Sequence, residues 1–220
     1  MMRVNLYRPV HVKTLESQQR RALLRNFGLK VGAVGRGRFE SRVLDLVASL
    51  PELAGVIRVL LDTRRKLRED FAQLHGKVLN IVKGDVVCLR LMTVPGVGPV
   101  TSLAFVSTID IPARFRSSRA VGPILGLTPT LKQSGESQRV GRVSLCGDGM
   151  MRALLYEAAQ AMLTRVQKWS WLRAWAMQVA RRSGFKKAVV ALARRLTVIM
   201  HRMWVDGSEF RWSREGAAQV

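Results

Sequence analysis

Cysteine is nearly absent from this sequence. Two thiols, Cys88 and Cys146, in 220 residues cannot make a disulfide framework or a four-thiolate zinc site. Histidine is almost as scarce: His11, His75 and His201 are scattered, and no His–Asp partnership supports a hydrolase triad. There is no long uncharged apolar run. The most apolar C-terminal stretch, Ala188 to Trp204, is cut by Arg194, Arg195, His201 and Arg202, which argues against a membrane span. Met1-Met2-Arg3-Val4-Asn5 leads into no apolar segment or small-residue cleavage site, so no secretory leader is expected. Acidic residues are the last shortage: 15 Asp+Glu stand against 37 Lys+Arg, a formal net charge of +22. A field of that sign attracts phosphate polymers. With 48% hydrophobic residues the chain is no disordered polycation, and its length suits one domain or two small ones. These bounds describe a cytoplasmic, nucleic-acid-binding protein.

The chain divides by pattern. Residues 1–40 are ragged: an extended piece at Tyr7-Arg8-Pro9-Val10-His11-Val12, a polar helix over Thr14 to Leu24, then a loop carrying Gly28, Gly32, Gly35 and Gly37. Residues 41–84 contain a helix start at Ser49-Leu50-Pro51-Glu52, with Ser49 as cap. Leu53, Ile57, Leu60, Leu67, Phe71, Leu74, Val78 and Ile81 then recur at steps of three and four, broken by Arg64 alone. That stripe suits a helix packed on its own domain or a coiled coil joining two copies. Residues 85–206 begin with a short helix over Val86 to Met92, a Gly/Pro turn and an apolar segment over Val100 to Ile109. A mixed region over 110–147 follows, then three helical patterns from Asp148 to Asp206-Gly207. Residues 207–220 read as a tail. The expected architecture is mainly α.

Two segments carry chemistry. In Val94-Pro95-Gly96-Val97-Gly98-Pro99, two glycines permit a tight hairpin between apolar helices. Such a turn can bare backbone N–H groups to a phosphate at the second helix's N-terminus, so Gly96 and Gly98 are candidate DNA-binding positions of a helix-hairpin-helix. A plain turn joining two core helices fits the same residues. The second segment runs from Phe115-Arg116-Ser117-Ser118-Arg119 through Gln133-Ser134-Gly135 to Gly147-Asp148. It reads as a serine- and arginine-rich loop feeding a helix N-terminus. Such loops bind phosphodiesters, and a serine within one can attack phosphorus, although caps and turns account for most loop serines.

These motifs resemble the C-terminal domain of insertion-sequence transposases of the IS-one-ten and IS-one-sixteen group, the bridge-RNA-guided recombinases. The matching residues are Val94-Pro95-Gly96-Val97-Gly98, Phe115, Gly126-Leu127-Thr128-Pro129, Gln133-Ser134-Gly135, Gly141-Arg142, Gly147-Asp148, Arg152 and Glu157-Ala158-Ala159. Ala193-Arg194-Arg195-Leu196 and Met200-His201-Arg202-Met203-Trp204 extend the resemblance to about half the chain. It implies, for the intact enzyme, a serine nucleophile at Ser134 that attacks a DNA phosphodiester and forms a covalent serine–DNA intermediate. Ser137 and Ser144 are the fallback nucleophiles. Arg139, Arg142 and Arg152 are, by position, the candidates for contacting phosphate. The resemblance also implies a structured guide RNA and an N-terminal RNase-H-like domain whose four acidic residues hold a divalent metal, magnesium, in the intact enzyme.

Those carboxylates are expected upstream of Tyr7-Arg8-Pro9-Val10, and Glu16, Glu40 and Asp45 form no ligand set, so no metal or other cofactor is expected on this chain. Ser144-Leu145 stands where the family commonly has Ser-Lys, and the join at Leu24 to Gly28 is short. The expectation is an N-terminally truncated transposase, a homo-oligomer through its coiled coil, with no membrane partner. A non-enzymatic helix-hairpin-helix DNA-binding module is the alternative. Trp169, Trp171 and Trp175, beside Lys168 and Arg173, suit base stacking, though packing of Trp175 with Leu172 and Val179 is the plainer reading.

Overall fold

The structure, a computed structural model, describes residues 22–35, 37–134 and 137–213. The extended piece at Tyr7 to Val12 and most of the helix expected over Thr14 to Leu24 lie outside them. Helices dominate the described residues, as the patterning implies, and one two-stranded antiparallel sheet accompanies them. The chain groups into two compact units, Met1–Lys77 and Val78–Val220.

In the first unit, helical residues 22–26 run into turns and then α1 (Phe39–Val47). The long helix α2 (Pro51–Gly84) follows. Pro51 opens α2, where its missing N–H is no loss. Leu50 rather than Ser49 takes the capping position: its carbonyl accepts the Ala54 N–H at 2.8 Å. Leu24, Val31, Phe39, Val43, Val47, Leu53, Ile57 and Leu61 form the core of this unit. The first half of the apolar stripe therefore packs internally. Arg64, the break in that stripe, is only 8% exposed. Its guanidinium donates to the Glu40 carboxylate at 2.7 Å and lies 4.9 Å over the Phe39 ring. Glu40 is thus a partly buried ion-pair partner of Arg64 and Arg65, not a solvated helix-face residue. Further along the stripe, Leu67, Leu74 and Ile81 are each about half exposed, at 47%, 48% and 56%.

The second unit is built on α8 (Phe185–Asp206), buried along one face by Val189, Leu192, Leu196, Met200 and Met203. It packs against α3 (Val86–Leu91), α5 (Val121–Ile124), α6 (Gly149–Thr164) and α7 (Trp171–Ser183). Burying each such Leu or Met contributes about 1.5–3 kcal/mol. Helix starts are set by short polar side chains. Asp85 accepts from the N–H groups of Val87 and Cys88, Asp148 from those of Met150 and Met151, and Ser170 from that of Arg173. Gly207, at φ +67°, ends α8 in the left-handed conformation that glycine tolerates. Beyond it, Phe210 is buried, and its N–H donates to the Thr93 hydroxyl at 3.0 Å.

Candidate active site

The mixed region contains an element that composition did not reveal. Residues expected as a serine- and arginine-rich loop form a β-hairpin, β1 (Pro129–Ser134) against β2 (Ser137–Val143). Ser134 closes the hairpin opposite Ser137, and Lys132 opposes Arg139 two positions further in. Alternation with period two places both pairs in the same phase of the ladder, about 6.6 Å apart along the strands. Ser134 and Arg142 are exposed. Near the base, the register slips between Pro129 and Leu131, and the Thr130 hydroxyl donates to the Arg142 carbonyl at 3.1 Å. The sequence signal for this hairpin is the Gly-X pair Gly135-Glu136, since the flanking stretches hold only Thr130, Val140 and Val143 as strand-favouring residues.

The hairpin is anchored by backbone approach. Gly126 and Gly147 both have positive φ, +65° and +84°, and a Cβ on either would overlap backbone of the other loop, at Cys146 and Ile124 respectively. The Arg152 guanidinium ties the same place together. Its Nη1 donates to the carbonyls of Leu125 and Cys146 at 3.1 and 3.3 Å. Arg152 therefore spans α6 and the two strands' flanking loops, whereas Arg142 faces solvent. Ser144 continues the ladder, donating its N–H to the Thr128 carbonyl at 2.9 Å.

Gly96 and Gly98 sit apart in role. The turn lies between α3 and α4 (Pro99–Ile109), and Gly96 at φ +85° packs so closely on α6 that a Cβ would overlap the Ala158 carbonyl. Gly98 is the cap residue of α4, with no side-chain hydrogen bond to that helix's first turn. Gly96 fixes the turn on α6, and Gly98 has open space around it.

His201 is brought to a partner that sequence distance hides. It is 2% exposed; its Nε2 lies 3.1 Å from the Pro112 carbonyl and its Nδ1 3.0 Å from the Ser118 hydroxyl. A carbonyl only accepts, so Nε2 carries a proton, and with the ring neutral Ser118 donates to Nδ1. The ring also meets Phe115 edge-on at 5.3 Å. His201 thus pins the 112–118 segment to α8. Cys88 is equally committed to the interior: burial, with the Asp85 carboxylate nearby, pushes its thiol up to about 11. Among the tryptophans, Trp175 packs against the core with the Arg195 guanidinium 4.3 Å from its ring centre, and Trp169 is exposed with Arg173 at 5.0 Å.

No group of three or more His, Cys, Asp or Glu able to hold a metal ion occurs among the described residues. The divalent metal implied by resemblance has no ligand set there. None of their helices is long and apolar enough to cross a membrane.

Comparison with known proteins agrees on one family. Residues 88–175, which include the α3–α4 turn, the hairpin and α6, match the transposase IS116/IS110/IS902 family. A Sinorhizobium fredii protein named as the transposase y4pF/y4sB is 32% identical over 206 residues, 90% of this chain and 53% of the relative. The transposase for insertion sequence element IS1111A of Coxiella burnetii is 28% identical over 210 residues, 93% of this chain and 57% of the relative. That for element IS1328 of Yersinia enterocolitica is 25% identical over 209 residues, 91% of this chain and 61% of the relative. The chain spans roughly half the length of these curated relatives. Through the domain that carries its β-hairpin, the chain belongs to the IS116/IS110/IS902 transposase family.

Proposed function

We propose that this chain is the serine-bearing part of an insertion-sequence transposase and that Ser134 attacks a DNA phosphodiester. The observation that carries the reading is the place of Ser134: exposed, at the closing end of a hairpin, two register positions from the Lys132–Arg139 pair, inside the family's matched region. In the step itself the Oγ–P bond forms as the P–O bond to one DNA end breaks. The serine proton passes to solvent, and the departing oxygen takes one up. One ester replaces another, so the bond energy is kept for rejoining. Lys132 and Arg139, two register positions from Ser134, would stabilise charge on the phosphoryl oxygens as it develops, whereas Arg142, about 16 Å away at the base of the hairpin, would contact a phosphate further along the strand. Arg152, committed to two carbonyls, positions the hairpin rather than the phosphate. No step is routed through a metal.

The partners proposed are DNA, a structured guide RNA and a second copy of the chain along α2, whose Leu67, Leu74 and Ile81 recur at exposed heptad steps.

The test is covalent capture. Incubated with nicked duplex DNA of the element's ends, the chain should yield a denaturant-resistant protein–DNA species, and Ser134→Ala should abolish it while binding persists. If neither protein yields such a species, cutting by this chain is excluded and the second reading stands. That reading is a DNA-binding module, favoured by the first turn of α4, where Gly98 offers no side-chain cap and an anion could take the N–H groups.

A further inference from the structure

The residues between Glu157 and Asp206 contain ten Lys+Arg and no carboxylate. Within this acid-free span, α7 ends and α8 begins at an elbow, Arg181-Arg182-Ser183-Gly184-Phe185-Lys186-Lys187, where all seven residues are exposed. Four are cations, and among the described residues no ion pair involves them. Phe185 projects at the turn, 43% exposed.

Solvated surface lysines are the ordinary explanation of such a run. Two features go against it. Lys186 and Lys187 lie in the first turn of a 22-residue helix, where the macrodipole disfavours cations, so the fold gains nothing from them there. An aromatic ring at the apex of a cationic turn is likewise exposed without helping the core.

We propose that this elbow is a docking surface for an unpaired DNA strand, its phosphates running along Arg181, Arg182, Lys186 and Lys187 while a base stacks on Phe185. A duplex keeps its bases stacked on one another, so only a single strand has a free base face to lay on the ring. The choice of DNA over RNA rests on the proposed cutting function; the preference for an unpaired strand does not. The surface shares no residue with the hairpin that carries Ser134, so failure of the serine chemistry would leave this binding untouched.

The test uses the full chain and a labelled oligodeoxythymidine, titrated across a salt series. Replacing Arg181, Arg182, Lys186 and Lys187 by Ser should weaken binding about tenfold or more, with a log–log salt slope shallower by about 3. A control replacing four exposed cations of α2, Arg58, Arg68, Lys77 and Lys83, removes the same charge and should change affinity much less. Equal losses in the two variants would overturn the elbow in favour of net charge alone. Phe185→Ala should cost about fivefold or more for the single strand and nothing for the duplex. Unchanged single-strand affinity in that variant overturns the stacking, and the single exposed substitution decides this even if the fourfold variant misfolds. Tighter binding of oligouridylate than of oligodeoxythymidine, lost in the elbow variant, overturns the assignment to DNA.

Discussion

Individual residues in this molecule are constrained more by backbone approach than by side-chain chemistry. Gly126 and Gly147 hold left-handed conformations where their loops touch, and Gly96 does so against α6. Gly126→Ala should lower stability by at least about 1–3 kcal/mol for the strained backbone, read as a lower thermal midpoint, with further loss from the displaced Cys146 loop. The two cysteines should separate by reagent. Cys146 is exposed and Cys88 is not, so the native protein should alkylate at one thiol rapidly and at the second only on unfolding. Because the Cys88 thiol is raised to about 11, the unfolded chain ionises first as pH rises, and stability from that group is lost between about 9 and 11. Helix starts were legible to within a residue: the pattern read as beginning at Asp148 does so, with Asp148 accepting two N–H groups of α6, whereas the cap read at Ser49 falls to Leu50. His201 was not legible, because its partner Ser118 lies 83 residues away and no local pattern encodes such a contact.

At the scale of elements, helices with a strong periodic stripe were readable and the hairpin was not. The α6, α7 and α8 patterns follow the 3.6-residue repeat because one face of each enters the core. The hairpin has a slipped register, and its strands mix glycine, arginine, glutamine and serine with few apolar residues, so no alternation stands out. Only the turn dipeptide signals it. The long helix α2 was readable as a helix but not in what it packs on. Its stripe serves the first unit's core as far as Arg64, then continues with Leu67, Leu74 and Ile81 exposed and Val78 buried. If that second half joins two copies, Leu67→Ser with Leu74→Ser should convert a dimer to a monomer in sedimentation equilibrium without lowering the helix content. A wild-type chain that stays monomeric over the whole concentration range contradicts the coiled coil.

For the whole molecule, charge and family membership are the properties that sequence made plainest. A net charge of +22 predicts that DNA affinity falls steeply with salt, with a log–log slope of about −4 or steeper if five or so phosphates are neutralised. A flat dependence would exclude both the cutting enzyme and the binding module. The candidate nucleophile was legible only through ordered motifs shared with relatives, since an exposed serine at a turn has no physical mark of its own. The most direct measurement is therefore to locate the covalent bond. The chain trapped on nicked DNA is digested with trypsin, and the peptide retaining a nucleotide is fragmented by mass spectrometry. The expected adduct lies in the peptide Gln133 to Arg139, with the phosphate on Ser134. A nucleotide on Ser118, Ser137 or Ser144 instead, with Ser134 unmodified, would contradict the assignment.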